Sequence, residues 1–305
     1  MSLAILCPGQ GGQHPDMFRR VQADPDACAL LAAAAVLLGD APTAAANRPI
    51  RFDNAIAQPL VCAGALSHWL ALKARLPVPT VVAGYSAGEL AAHAVAGSCD
   101  ATVCLQLAVR RAACMDAASP ADAGLLAVQG LERGSIEALC AGRGVTVAIV
   151  NGDDHRVLGG LRADLLAVQA DAEQRGARCV VLPVHVPAHT PLLAAAATAF
   201  AQVLDDTPLH APRLPLLAGI DGRRVATPDQ VRNTLAAQIA HTVQWQGVMQ
   251  QAVERGARVF LELGPGSALS RLARELHPQL QARSVEDFHT LEGVAEWVET
   301  ACARV

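Results

Sequence analysis

Aromatic and charged residues are both scarce in this sequence. Phe, Trp and Tyr make up 3% of the 305 residues and charged residues 17%, whereas 52% are hydrophobic. The net charge is −4 and no basic stripe is present, which argues against a nucleic-acid-binding protein. The length suffices for a full core, arranged as one large domain or as a large domain with a smaller partner.

Metal-binding and secretory signals are also missing. The nine cysteines include no C-x-x-C pair and no Cys/His cluster at zinc spacing, so no metal site is expected. An odd number of cysteines among alanines and valines suggests reduced thiols in a cytoplasmic protein. The apolar patch in the start MSLAILCPGQ is too short and too uncharged for a signal peptide, and Gly, Pro or charge interrupts the longest apolar stretches. No membrane span is therefore expected.

The chain pattern predicts strands and helices in alternation. The first strand, Leu3–Cys7, runs into the glycine-rich loop Pro8–Gln13, whose spacing matches neither G-x-G-x-x-G nor a P-loop, so nucleotide binding is not indicated. Residues 42–54 read as loop. Further strands are expected at 80–82, 215–220 and 258–263, and helices at 23–38, 55–75, 102–118, 191–204, 228–239, 248–255 and 268–276.

Residues 124–187 show a different order of predicted strands and helices. Strands at 125–131, 145–150, 156–161 and 177–184, with helices at 134–141 and 163–175, give the order β-α-β-β-α-β. That order is the ferredoxin-like unit, and its size suits a small inserted domain.

The segment around Ser86 has the pattern of a nucleophile elbow. A β-branched run meets Gly84-Tyr85-Ser86-Ala87-Gly88, and a helical pattern follows at once, which is the strand–turn–helix context that G-x-S-x-G requires. The glycines permit a sharp turn. Ser86 then lies at a helix N-terminus, where free N–H groups favour negative charge on a substrate oxygen. The alternative is an ordinary turn with an exposed serine.

A serine nucleophile needs a base, and His189 is the candidate. It lies where the small unit returns the chain to the larger one, and a loop at a domain junction is a natural wall for a cleft. The alternative is a histidine without a catalytic role, whose ring nitrogens are hydrogen-bonded to neighbouring groups in the loop or at the surface.

Six segments in order resemble the malonyl-CoA:acyl carrier protein transacylases, the acyltransferases of fatty acid and polyketide synthesis. The segments, which extend over nearly the whole chain, are Pro8–Gln13, Gly84–Glu89, Arg111–Met115, Val186–His189, Val243–Trp245 and Glu262–Gly266. The resemblance implies an α/β fold with an α/β-hydrolase-like core, residues 1–123 and 188–305, and a ferredoxin-like insertion at 124–187.

The resemblance also implies roles for individual residues. Ser86 would attack the thioester and carry the acyl group, and His189 would accept and return its proton. The family has no triad carboxylate, and the backbone carbonyl of Gln244 would orient the histidine. The backbone N–H groups of Gln10 and Ala87 would form the oxyanion hole.

Substrate selection is expected to depend on Arg111. Its guanidinium would hold the malonyl carboxylate through two hydrogen bonds, a geometry that lysine cannot copy. Arg110, about 100° away around the helix, is the better candidate for a solvated position. Tyr85 stands where the family usually has histidine, and His185 precedes the segment of the catalytic histidine. Both are expected to line the acyl pocket, although Tyr85 could equally be a packing residue.

The GQGGQ start, the GYSAGE elbow, the HVPAHT segment and the length without a fused carrier domain are similar to the epsilon subunits of malonate decarboxylase. The resemblance implies malonyl-CoA as donor and an acyl carrier protein subunit as acceptor, with other decarboxylase subunits as further partners and no cofactor. Transacylation in fatty acid or polyketide synthesis, a serine thioesterase or esterase, and a non-catalytic docking module are the alternatives.

Overall fold

The computed structural model describes residues 2–305, which form two β-sheets flanked by helices. Residues 2–305 contain ten strands, whose order follows the predicted alternation with helices. They are β1 (Leu3–Cys7), β2 (Val81–Gly84), β3 (Ala123–Gln129), β4 (Thr146–Val150), β5 (His155–Leu161), β6 (Arg178–Val181), β7 (Leu216–Leu217), β8 (Arg224–Val225), β9 (Val259–Glu262) and β10 (Gln281–Ser284).

Twelve α-helices connect and cover the strands of residues 2–305, and four short 3₁₀ turns lie at 19–21, 49–52, 191–193 and 285–287. The helices are α1 (Pro25–Leu38), α2 (Pro42–Asn47), α3 (Asn54–Leu72), α4 (Gly88–Val95), α5 (Ala101–Ala118), α6 (Arg133–Cys140), α7 (Arg162–Gln174), α8 (Ala194–Asp205), α9 (Pro228–Gln238), α10 (Trp245–Glu254), α11 (Ala268–Leu276) and α12 (Leu291–Ala303).

The larger sheet has the order β10-β9-β1-β2-β7-β8 and is parallel except for the pair β7–β8. Strands β1, β2 and β9 are buried along their whole length, as expected for parallel strands covered on both faces. Their carboxyl ends therefore lie at one edge, where the loop after Cys7, the turn after Gly84 and the loop after Glu262 meet.

The smaller sheet is antiparallel, with the order β4-β5-β3-β6, and arises from the predicted β-α-β-β-α-β segment. One face packs against α6 and α7 through a separate apolar cluster that includes Leu126, Ile136, Leu158 and Val168. The other face contributes Leu125, Ile149 and further apolar residues to the main core. The alternation of β-strand side chains thus joins the small unit to the larger one.

The two sheets are also joined through the main chain. Val243 forms a parallel bridge with Ile149, in which the N–H of Val243 donates to Ala148 and its carbonyl accepts from Val150, both at 2.9 Å. The hydroxyl of Thr242 adds a bond of 2.7 Å to the carbonyl of Val147. The segment before α10 therefore continues the small sheet beyond β4.

Helix α3 is long and apolar enough to cross a membrane by length and composition, with a mean hydropathy of 1.4. However, 78% of this window is buried inside the fold, where the helix packs against α1, α4 and α5. Core helices satisfy the same criterion, so the helix is weak evidence of a span.

Three expectations were wrong in detail. The segment 42–54, expected as loop, contains α2 and a 3₁₀ turn. The strand expected at 215–220 is shorter and comprises residues 216–217. Strand β6 ends at Val181, two residues before Pro183, which cannot donate a ladder hydrogen bond.

Candidate active site

The turn between β2 and α4 presents Ser86 with a left-handed backbone conformation, φ 54°. A Cβ on Gly84 would overlap the backbone of Glu89, and one on Gly88 would overlap the carbonyl oxygens of Cys7 and Pro8. Both glycines are therefore required by close backbone contact, as the motif indicates. The result is a half-buried serine held in a strained turn at the start of a helix.

Ser86 and His189 lie within hydrogen-bonding distance, with 2.8 Å between Oγ and Nε2. The Nδ1 atom of His189 lies 2.6 Å from the carbonyl oxygen of Gln238. Because a carbonyl can only accept, Nδ1 carries the proton and the lone pair of Nε2 faces the serine hydroxyl. This is the tautomer that a general base for Ser86 needs.

His189 is 1% exposed and its main chain has φ 65°. Burial, with a smaller effect of the nearby positive charge of Arg111, lowers the pKa of its imidazole to about 3, although the bond to Gln238 opposes the shift. The imidazole is therefore neutral at physiological pH and able to accept a proton. Ser86 and Gln238 occupy both ring nitrogens, so no carboxylate among residues 2–305 completes a triad.

The expected orienting role of the Gln244 carbonyl is wrong. That carbonyl accepts the N–H of Val248 in the first turn of α10, and the N–H of Gln244 donates to Gly219. The carbonyl that meets the imidazole belongs to Gln238, the last residue of α9, where a helix leaves carbonyls without an intrahelical partner.

Arg111 is 2% exposed and fully enclosed by α3, α5 and α9 side chains. Its guanidinium donates to the side-chain oxygens of Gln58, at 2.7 Å, and Gln238, at 2.8 Å. No carboxylate of the described chain lies within ion-pairing distance of it. Burial lowers its pKa to about 10, which leaves it charged at neutral pH. Arg110 is exposed, as expected.

The sequence did not single out the side chains of Gln238, Glu89 and Gln58. The amide of Gln238 donates to the carbonyl oxygen of Ser86, at 3.1 Å, and to the carboxyl group of Glu89. The other oxygen of Glu89 accepts the N–H of Gly219 at 3.1 Å. Burial raises the pKa of Glu89 to about 7, although these hydrogen bonds and Arg111 favour its charged form. Glu89 had a visible signal, its place in the elbow motif, whereas Gln238 had none.

Of the two expected oxyanion-hole residues, Ala87 lies within the elbow and Gln10 lies in the loop after β1. Gln10 follows Gly9, on which a Cβ would lie 2.8 Å from the carbonyl oxygen of Tyr85, so this loop packs directly on the elbow. Among the hydrogen bonds of residues 2–305, neither backbone N–H donates to an acceptor. Both donors are thus free for a ligand, although their role stays a prediction.

Tyr85 contacts both units. Its hydroxyl donates to the side-chain oxygen of Asn151, in the turn between β4 and β5, at 3.1 Å. Its ring meets Trp245 edge to face, with centroids 5.2 Å apart. The side chain next to the nucleophile therefore both packs and carries a satisfied hydroxyl.

His185 lies apart from this cluster. It is exposed and lines a recess of about 400 Å³ together with Asp53, Asp116 and Asp122. Neither Ser86 nor His189 lines that recess, so the expectation that His185 lines the acyl pocket is not met. Residues 2–305 hold no group of three or more His, Cys, Asp or Glu placed to bind a metal ion.

Known proteins match this chain along most of its length. The malonyl CoA-acyl carrier protein transacylase of Haemophilus influenzae is 29% identical over 249 residues, which cover 79% of this chain and 80% of that protein. The crystal structure of FabD from Acinetobacter baumannii superposes with a TM-score of 0.91 at 28% identity, covering 98% of this chain and 99% of the other.

A structure of a malonyl-transacylase in complex with its type II polyketide synthase acyl-carrier protein also matches, with a TM-score of 0.91 and 26% identity over 97% of this chain and 99% of the other. These likenesses establish the α/β fold. A family model described as "acyl transferase domain" matches residues 46–295. Because this model covers most of the sequence, the chain belongs to the acyl transferase domain family.

Proposed function

We propose that this protein is a malonyl-CoA:acyl carrier protein S-malonyltransferase that works through a malonyl-Ser86 intermediate. The observation that carries the proposal is the buried guanidinium of Arg111, which has two amide oxygens and no carboxylate as partners. A buried charge without a counterion is costly, and an acyl group that ends in a carboxylate would supply the missing negative charge. Curated and structural relatives that carry the malonyl-transacylase name support the same conclusion.

The proposed reaction has two halves. Ser86 transfers its proton to Nε2 of His189 as Oγ attacks the thioester carbonyl, and the imidazolium stays hydrogen-bonded to Gln238. The N–H groups of Gln10 and Ala87 stabilise the oxyanion. The imidazolium then protonates the departing CoA thiolate, and a carrier thiol reverses the sequence to collect the malonyl group. Every proton is supplied by the protein or the thiols, so the proposal needs no cofactor.

An acyl carrier protein is the proposed acceptor. The matching structure of a transacylase with its acyl-carrier protein supports a partner of this type. Fatty acid or polyketide synthesis is the context that the relatives favour. The carrier subunit of malonate decarboxylase is the second candidate, favoured by the GQGGQ, GYSAGE and HVPAHT segments. Offering both carrier proteins with malonyl-CoA and following malonyl loading by mass spectrometry distinguishes the two.

The finer description of the fold belongs to the same proposal: an α/β-hydrolase-like core with a ferredoxin-like insertion at 124–187. The strand order β4-β5-β3-β6 and the β-α-β-β-α-β connection support it. Nine free cysteines, of which four are buried, support a reducing compartment such as the cytoplasm.

The decisive experiment is mass spectrometry of the intact protein after brief exposure to malonyl-CoA. The natural protein should gain one malonyl group, and Ser86→Ala should gain none. Arg111→Ala should lower kcat/KM for malonyl-CoA by about 100-fold, from loss of two charge-assisted hydrogen bonds, and affect acetyl-CoA much less. Arg110→Ala is the matched control, because Arg110 is exposed.

Two results would contradict the proposal. A malonyl group on Ser86→Ala would exclude Ser86 as the nucleophile. Equal losses for malonyl-CoA and acetyl-CoA in Arg111→Ala would exclude the carboxylate contact. Rapid release of free malonate without a thiol acceptor would instead favour a thioesterase.

A further inference from the structure

Gln238 contacts His189, Arg111, Glu89 and the main chain of Ser86. Its carbonyl accepts from His189, its side-chain oxygen accepts from Arg111, and its side-chain nitrogen donates to the Ser86 carbonyl and to Glu89. The residue is 1% exposed, so water does not compete for these contacts. One amide therefore links the base, the elbow and the candidate carboxylate-binding group.

The orientation of this amide is fixed by its neighbours. A guanidinium can only donate and a backbone carbonyl can only accept, so the oxygen must face Arg111 and the nitrogen must face Ser86. The carboxyl group of Glu89 provides a second acceptor on the nitrogen side. Turning the amide by 180° would set two donors against each other at Arg111 and two acceptors at Ser86.

Glu89 is itself held rigidly. It is fully buried in the first turn of α4, and its second oxygen accepts the N–H of Gly219. A Cβ on Gly219 would lie 2.6 Å from that carboxyl group, so only a glycine after β7 leaves space for the carboxyl group in this position. Its contact with Gln238 thus ties the amide to two elements of the larger sheet.

We propose that Glu89 and Gln238 form a positioning pair that holds the guanidinium of Arg111 ready for an acyl carboxylate and thereby sets selectivity for carboxylated over neutral acyl groups. The pair acts through Arg111 and touches no reacting atom of the substrate. Gln58 holds the other nitrogen of the guanidinium, but only the contact with Gln238 links that guanidinium to the elbow. This inference rests on the proposed malonyltransferase function.

The test compares Ser86 acylation by malonyl-CoA and acetyl-CoA in the natural protein and in Gln238→Ala. We expect KM for malonyl-CoA to rise about tenfold, as for the loss of one charge-assisted hydrogen bond, while KM for acetyl-CoA changes by less than about threefold. Gln250→Ala, an exposed glutamine on α10 that bonds Glu254, is the matched control and should change neither value.

A second set of variants separates positioning from stability. Gln238→Glu retains an oxygen for Arg111 but places a carboxylate on it, which competes with the acyl carboxylate, and it also faces Glu89. We expect a larger loss of malonyl selectivity and a lower melting temperature. Adding Glu89→Gln restores the amide–carboxyl hydrogen bond between positions 89 and 238, but the carboxylate at 238 still faces the carbonyl oxygen of Ser86. The melting temperature should therefore recover in part while malonyl selectivity stays low.

The outcomes are distinct. If selectivity recovers together with the melting temperature in the double variant, the pair has only a structural role and the inference is wrong. An unchanged KM for malonyl-CoA in folded Gln238→Ala would also overturn it. If the natural protein itself forms no malonyl-Ser86, the proposed function fails first, and this failure is seen before any variant is compared.

Discussion

At the scale of single residues, Tyr85 links the elbow to the small unit. Its hydroxyl bonds Asn151 across the junction, and its ring packs on Trp245. Tyr85→Phe removes the bond and keeps the ring, so we expect a loss of about 1 kcal/mol in the free energy of unfolding. Urea denaturation of the natural protein and the variant measures this loss.

A double-mutant cycle with Asn151→Ala provides the control for that prediction. If the hydrogen bond carries the effect, Tyr85→Phe should cost little more once Asn151 is already alanine. Additive losses would show that the two side chains contribute independently.

Gly88 is the second residue at this scale. Because a Cβ would overlap the carbonyl oxygens of Cys7 and Pro8, Gly88→Ala should cost about 3 kcal/mol or more, since backbone atoms cannot move aside. Gly134→Ala, in α6, is the matched control: a Cβ there meets nothing within 4 Å, and alanine should stabilise the helix by about 0.5–1 kcal/mol. Similar unfolding midpoints for both variants would contradict the close contact at the elbow.

How far the sequence predicts individual residues depends on how local their geometry is. Ser86 lies in a self-contained turn, and the burial of Arg111 beside exposed Arg110 follows from helical periodicity. Which carbonyl meets His189 depends instead on how the chain turns between α9 and α10. Gln238 and Gln244 are six residues apart, and no local pattern decides between them.

At the scale of elements, helix α9 places its last residue, Gln238, at the site, and the N-terminus of the helix is capped. The hydroxyl of Thr227 accepts the N–H of Gln230, whose side chain in turn accepts the N–H of Thr227. Thr227→Ala should lower the free energy of unfolding by about 1 kcal/mol while kcat stays near its original value, because the cap lies at the far end of the helix.

Thr198→Ala, in the exposed middle of α8, is the control for the cap. Its hydroxyl bonds only the carbonyl of Ala194 in the preceding turn, so alanine should be neutral or slightly stabilising. Chemical denaturation of both variants under the same conditions measures the difference. Equal destabilisation would mean that the cap contributes nothing specific.

Elements with their own boundary signals were predicted well. Helix α11 begins and ends where expected, after a Gly-Pro-Gly turn. The two-residue strands β7 and β8 were missed as a pair because they are defined by each other's hydrogen bonds. Strand β10 and helix α12 also went unpredicted; β10 contains three polar residues among four and depends on β9 for its pairing.

At the scale of the whole molecule, stability should vary with pH through five buried groups. Burial lowers the pKa of His68 to about 4 and the pKa values of His93 and His189 to about 3, and raises the pKa values of Glu89 and Glu262 to about 7. The imidazoles bind fewer protons folded than unfolded, so they destabilise the fold as pH falls below about 6.5. The carboxyl groups bind more protons folded, so their contribution is present in acid and lost as pH rises through about 7.

Below about pH 6.5 the three imidazoles change the free energy of unfolding more than the two carboxyl groups do. Above about pH 6.5 only the two carboxyl groups still change it. These five groups therefore predict a stability maximum near about pH 6.5, with a steeper decline on the acid side. Melting temperatures between pH 4 and 8 test this. His93→Gln, in the last turn of α4, should flatten the acid limb, and an unchanged limb would show that its imidazole is not held neutral.

The two-sheet architecture could be predicted from the sequence because the order of predicted strands and helices changes at Gly124. The strand orders were not, since pairing partners lie far apart along the chain. The joining of the sheets was invisible for the same reason: Val243 and Ile149 are nearly a hundred residues apart and form a single bridge.

That bridge bears on any attempt to exchange the small unit for that of a relative. A graft of residues 124–187 alone would leave Thr242 and Val243 of the recipient facing a foreign edge strand, with bonds to the backbone at 147, 148 and 150 dependent on the new main-chain path. An exchange of the small unit should therefore transfer two separate segments of the donor, residues 124–187 and residues 242–246. Chimaeras built with and without this short second piece should differ in expression yield and in turnover.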